Sequence, residues 1–267
     1  MLDRVFEATL VIGAVGLVAL GGRLLDVKGV GAAVLIGYCI YVLGGRIFFL
    51  MLLIFFVVAG FATKYRYHQK YGEAGRGVRS WSNVLANGSG AALIILFSYI
   101  FQADSTPTLA AYIGSVSAVF SDTMSTEIGL LSKTPPRMIT SLKPASPGTP
   151  GAVSFSGLLA GLLTGLVLAG GTYFYGLVFG EGVSLTVLVV LSVVSGFTGS
   201  LFDSVFGGLF QSRYRCGECG RTVEVKRHCG KPTTYLSGSK LVNNELVNLV
   251  TSFYGGLVAY SLWLYIR

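Results

Sequence analysis

The chain has 267 residues, 52% of them hydrophobic and only 12% charged, with a mean hydropathy of +0.69. Soluble domains carry about 25% charged residues, so this composition excludes an ordinary water-soluble globule. A formal net charge of +8 would suit nucleic acid, but its placement along the chain points elsewhere.

Apolar segments of the length that crosses a bilayer as a helix recur at 5–22, 29–45, 46–63, 84–103, 108–130, 152–172, 183–210 and 242–265. They predict an all-α polytopic protein of about eight transmembrane helices, a single transmembrane domain over 1–267. The first stretch lacks a small-residue cleavage site and is followed by further spans, so it is expected to remain as a helix. Only Gly44, Gly45 and Arg46 separate the second span from the third, and one broken span is the alternative there.

With the N-terminus outside, seventeen Lys and Arg residues fall on one side, against Arg4, Arg46 and Arg267 on the other. That asymmetry marks the basic loops as cytoplasmic in a multi-pass cell-membrane protein. The charge is then a topology signal, with anionic lipid as its partner and no nucleic acid.

The chemistry-capable residues gather at the cytoplasmic ends of the spans. Arg79, Asn83 and Asn87 follow at four-residue intervals, which puts a guanidinium and two carboxamides on one face of the fourth helix. A helix cap and an Arg reaching for headgroups is the competing reading. The fifth span ends in SAVFSDTMSTEIG, where Asp122 and Glu127 interrupt an apolar run. Acids at that depth are costly and mark candidate sites. Their five-residue separation places both in one site only if the helix breaks near Ser125.

Next comes SLKPASPGTPGAVSFSG, whose prolines and glycines forbid a regular helix. Lys143, the free backbone of Pro147, Gly148, Thr149 and Gly151, and Ser154 at the head of the sixth span form a candidate phosphate cradle. A rigid turn is the alternative. The Gly157, Gly161 and Gly165 stripe reads as close helix packing. In the seventh span Gly196, Gly199, Asp203 and Gly207 share a face beside Ser200 and Ser204, a carboxylate on a surface stripped of side chains. The eighth opens with Asn244, Glu245 and Asn248, either ligand groups or interhelical glue. Residues 211–240, a cytoplasmic loop between the seventh and eighth spans, hold Cys216, Cys219, His228 and Cys229. These are a candidate structural Zn²⁺ knuckle in a reducing compartment. The Cys-x2-Cys half is a good knuckle turn, whereas adjacent His228 and Cys229 seldom ligate one ion together.

Together Asp, Glu, Asn and hydroxyl oxygens suit Mg²⁺, and the cations suit phosphate. The ordered motifs NVLANG, SDTMSTEIG, PGTPGAVSFSG, GSLFDSVFGG, CGECG with HCG, and NNELVN resemble the DUF92 family of integral membrane proteins, which includes transmembrane protein 19 and a plant phytyl-phosphate kinase. The resemblance covers the chain from about Arg79 onward. It implies a membrane kinase that transfers a phosphoryl group from a nucleoside triphosphate, CTP by analogy, to a prenyl phosphate lipid of phytyl or geranylgeranyl type. Asp122, Glu127 and Asp203 are the expected catalytic Mg²⁺ ligands. The alternatives are a cytidylyltransferase that makes a CDP-lipid and a lipid transporter without chemistry.

Overall fold

A computed structural model describes residues 2–71, 77–180 and 182–266; Arg76 and Arg267 of the charge count lie outside them. Helices α1 (Leu2–Gly21), α2 (Val27–Cys39), α3 (Arg46–Lys64), α5 (Trp81–Ile100), α7 (Phe155–Phe179), α8 (Leu185–Phe210) and α9 (Asn244–Ile266) are each long and apolar enough to cross a bilayer, α2 with its extension to Gly44. The eighth long helix, α6 (Ser105–Gly129), has 25 residues, enough for roughly 37 Å. It is more polar than the others and is enclosed by them. A short helix, α4 (Tyr67–Tyr71), follows α3. The break between the second and third spans is real: Ile40–Gly44 widens into a π-helical turn, and Gly45 at φ 110° reverses the chain, a conformation open to glycine.

Helix α6 is the axis. Every residue from Tyr112 to Ser121 is buried, and α3, α5, α7, α8 and α9 all pack against it. The approach is close because small residues line it. A Cβ on Gly199 would sit 2.4 Å from Ala118 Cβ, one on Gly161 2.2 Å from Ser125 Oγ, and one on Gly114 2.1 Å from the Gly255 carbonyl. In a bilayer, where lipid is as apolar as leucine, such contact and interhelical hydrogen bonds are what hold helices together. Ser115 and Ser252 supply one such bond, 2.6 Å across the α6–α9 seam. Helices α1 and α2 lie to one side, against α3 and α5.

The loops at the basic end are ordered by short β-pairings that the helical reading did not include. Leu25 and Arg79 form a bridge, β1 (Arg137–Met138) pairs with β2 (Ala152–Val153), and β3 (Arg213–Arg215) lies between β4 (Thr222–Val223) and β7 (Thr234–Ser237). A small hairpin joins β5 (Arg227–His228) to β6 (Lys231–Pro232). This end therefore has a fixed architecture, in which the C-termini of α3, α6 and α8 meet the N-termini of α5, α7 and α9.

Candidate functional site

Two acids meet at the basic end of the central packing. Asp122 on α6 and Asp203 on α8 lie within hydrogen-bonding reach of each other, and the Thr251 hydroxyl of α9 donates to Asp203 Oδ2 at 2.9 Å. Both are half-buried. The charged groups that act on the pair are themselves acidic: Glu224, from the loop after α8, bears on each, and Glu245 bears on Glu224. Like charges this close repel, so the arrangement calls for a cation or a shared proton. Two carboxylates and a hydroxyl are hard oxygen donors that fit Mg²⁺.

Glu127 does not join them. Helix α6 runs unbroken past Ser125 to Gly129, and the five-residue step carries Glu127 to another face. There the buried Lys70 ammonium pairs with Glu127 Oε2, and the Thr63 hydroxyl donates to Oε1 at 2.5 Å. Lys70 also donates to the carbonyls of Ala62 and Thr63, at 2.6 and 3.0 Å. A carboxylate so fully paired has little left to offer a metal. The expected third acid of the site is a tie between α4, α3 and α6.

Arg79, likewise, is not on the helix face that its spacing suggests. Its backbone donates to the Leu24 carbonyl at 3.0 Å and stands before the Ser80 N-cap of α5, while its guanidinium reaches Thr63 Oγ1 at 2.9 Å and the Ala59 carbonyl at 3.3 Å. Burial lowers its pKa, opposed by the Glu127 charge, and an arginine in such a place remains a cation. Arg79, Asn83 and Asn87 nonetheless come together: they form the polar end of a cleft between α1, α2, α3 and α5 whose other walls are apolar, among them Ile12, Val34, Phe49 and Phe56. Asn83 also closes a capping box with Ser80. From the cleft a polar line leads to the acids. Asn248 Nδ2 donates to Asn87 Oδ1 at 3.0 Å, and Thr251 sits one turn further along α9. Asn248 Oδ1 is buried without a hydrogen-bond partner among the described residues, an unusual state for a buried acceptor.

The segment 147–151 is folded by short backbone bonds and packs against α8. The Thr149 N–H donates to Ser146 and the Ala152 N–H to Thr149, at 3.1 and 3.0 Å. Gly151, at φ 81°, lies against α8, where a Cβ would come within 2.4 Å of Gly208 Cα and 2.9 Å of the Ser204 carbonyl. Lys143, Pro147 and Gly148 are exposed. Ser154 caps α7, accepting from the Gly157 N–H at 3.2 Å, and Ser200 bonds Ser125 at 3.2 Å. Asn244 opens α9 beside Asn243, whose side chain accepts from the Leu246 N–H.

Cys216, Cys219, His228 and Cys229 converge, with one ligand atom from each within 4.8 Å of the others. The Cys219 backbone N–H and then the His228 ring lower the Cys216 thiol to about 6, toward the thiolate that metals bind. Three further residues escaped the sequence reading. Thr251 extends the Asn244 and Asn248 face by i+7 and was visible in principle. Lys70 on the short helix α4 and Glu224 in the loop after β4 belong to no apolar pattern, so spacing gives no hint of a partner.

Residues 10–256 match the family described as Integral membrane protein DUF92. An uncharacterized membrane protein, MJ0933, of Methanocaldococcus jannaschii is 30% identical over 258 residues, 96% of this chain and 93% of its own. Protein PGR of Arabidopsis thaliana is 30% identical, with 85% of each chain covered. The chloroplastic Protein VTE6 of Arabidopsis thaliana is 28% identical over 88% of this chain and 64% of its own. No solved structure matches.

Proposed function

The chain belongs to the DUF92 family of integral membrane proteins, and from that premise we propose that it is a prenyl-phosphate kinase. The acceptor is a phytyl- or geranylgeranyl-type monophosphate and the donor a nucleoside triphosphate, CTP foremost. The observation that carries the reading is the pairing of a cation-seeking Asp122–Asp203 couple with an apolar cleft, joined through Asn87, Asn248 and Thr251. The kinase activity implied by the resemblance to phytyl-phosphate kinase supports it.

In this reading the prenyl chain lies in the cleft and its phosphate meets Arg79 and Asn87. Guanidinium and carboxamide donors suit a phosphate dianion. A phosphate oxygen of the acceptor attacks the γ-phosphorus of the nucleotide. The new P–O bond forms as the bond to the bridging β,γ-oxygen breaks, and the nucleoside diphosphate leaves. The acceptor is already ionised, so no strong base is needed, and catalysis is positioning plus charge neutralisation. Asp122 and Asp203 would hold Mg²⁺, with Glu224 near, and the ion would supply charge stabilisation to the transferring phosphoryl group. Asn248 Oδ1 offers a free acceptor beside Asn87 for a hydroxyl or amino donor of the nucleotide. By the positive-inside argument this end faces the cytoplasm.

The test is a screen of purified protein with four nucleoside triphosphates against phytyl, geranylgeranyl and longer prenyl phosphates, read by product mass. Prenyl diphosphate with nucleoside diphosphate is expected. Pyrophosphate with a CDP-lipid would move the assignment to a cytidylyltransferase. No turnover, with lipid flux in proteoliposomes, would make it a transporter.

A further inference from the structure

Residues 211–240 form a small polar appendage with almost no core: of its side chains only Gln211, Ser212, Tyr214 and Cys216 are buried, and its strands are two to four residues long. A segment so poor in apolar contacts needs a staple to keep one conformation. We propose that Cys216, Cys219, His228 and Cys229 bind one zinc ion, which fixes this loop and with it the position of Glu224.

The geometry suits the ion. Tetrahedral zinc holds sulfur at about 2.3 Å and nitrogen at about 2.0–2.1 Å, which sets neighbouring ligand atoms roughly 3.5–3.8 Å apart. His228 Nδ1 is 3.5 Å from Cys219 Sγ and 3.2 Å from Cys229 Sγ. The first half is a tight knuckle: the Cys216 N–H donates to the Arg221 carbonyl at 3.0 Å and the Gly220 N–H to the Cys216 carbonyl at 3.1 Å, with Gly220 at φ 68°. The second half answers the objection raised by adjacent ligands. In an extended strand His228 and Cys229 would point to opposite faces, but Cys229 at φ 51° and Gly230 at φ 75° turn the chain between β5 and β6. Both side chains then reach the same point. The left-handed conformation at a non-glycine residue costs energy, which a metal bond offsets. All four cysteines of the chain are unpaired thiols.

Glu224 lies between the two halves of the knuckle in sequence. Gln211 Nε2, at the end of α8, donates to its carboxylate at 2.8 Å. Without the staple the segment that brings Glu224 near Asp122 and Asp203 is held by short β-pairings and a few hydrogen bonds. The zinc site itself stands apart from the kinase reading, since metal content needs no substrate.

The experiment is metal analysis of the full chain purified under reducing conditions without chelator, with limited proteolysis of the same sample. About one zinc per chain is expected, along with a loop resistant to cleavage. Cys219→Ser should lose the metal and become cleavable within 211–240 while the helical bundle keeps its melting transition. Cys39→Ser, placed in α2, should keep both metal and resistance. Should Cys219→Ser fail to fold, cobalt added to chelator-stripped wild-type chain should give the absorption bands of tetrahedral thiolate-bound Co²⁺. Wild-type chain that carries no zinc and gives no such bands overturns the proposal. So does a disulfide among these cysteines, or full zinc retained by Cys219→Ser.

Discussion

Asp203 and Glu127 are both acids toward the ends of apolar helices, and their surroundings differ in kind. Asp203 faces Asp122, with the acidic Glu224 acting on it and one hydroxyl as donor. Replacing it with Asn removes a charge that is unfavourable without a cation, so Asp203→Asn is expected to insert and melt near normally. Turnover should fall by on the order of 10³-fold, as when charge stabilisation of a transferring group is lost. Melting and Mg²⁺-dependent turnover measured on one preparation check this, and unchanged turnover would remove Asp203 from the site. Glu127 instead pairs with Lys70 in a buried contact. Glu127→Gln should leave an uncompensated ammonium and cost about 3–5 kcal/mol. Adding Lys70→Met should recover much of that loss. Denaturation of the two single variants and the double variant gives the coupling directly; a double variant no better than Glu127→Gln would argue against an isolated ion pair.

At the scale of elements, the central packing depends on glycine where helices nearly touch. A Cβ at Gly199 would lie 2.4 Å from Ala118 Cβ, while one at Gly170 would meet nothing within 4 Å. Gly199→Leu should therefore force α8 from α6 and destabilise by at least the 1–3 kcal/mol typical of overpacking, separating Asp203 from Asp122. Gly170→Leu should be near neutral. Thermal melting of the pair is the measurement. Which elements were legible follows from the same physics. Long apolar runs announce spans, glycine stripes announce close packing, and acids within apolar runs single out Asp122 and Asp203, which the packing brings together. Glu127 misled because its partner, Lys70, sits on a five-residue helix that no apolar pattern marks. Arg79 misled because a backbone bridge to Leu25, and no helix, fixes it. At 147–151 prolines and glycines serve a rigid turn and an anion cradle alike, and the contact of Gly151 with Gly208 accounts for the glycine at that one position.

For the whole molecule, the distribution of charge predicts an orientation. The loops that hold Lys64, Arg79, Lys143 and Arg213 share one end with the acid pair, and the turn at Gly182 lies at the other end of α7 and α8. In intact cells an impermeant thiol reagent should modify Gly182→Cys and leave Lys143→Cys untouched until the membrane is opened, read by the mass of the labelled peptide. The reverse pattern would invert the topology and place the acids outside.

The polarity of α6 bears on how the chain is made. Ser115 meets Ser252 of α9, Ser125 and Asp122 meet Ser200 and Asp203 of α8, and α7 packs closely along it, whereas Glu127 pairs with Lys70 on a helix already synthesised. A helix leaving the ribosome is sorted into lipid by its own side chains, and polar groups count against release. This span is therefore expected to wait at the insertion machinery, shielded, until the three later helices arrive to enclose it. Engineered glycosylation sites at Gln102 and Lys133 should report α6 as spanning in the full chain. In a chain stopped at residue 150 it should fail to span, and full insertion of that shortened chain would show that α6 needs no later partner to enter the bilayer.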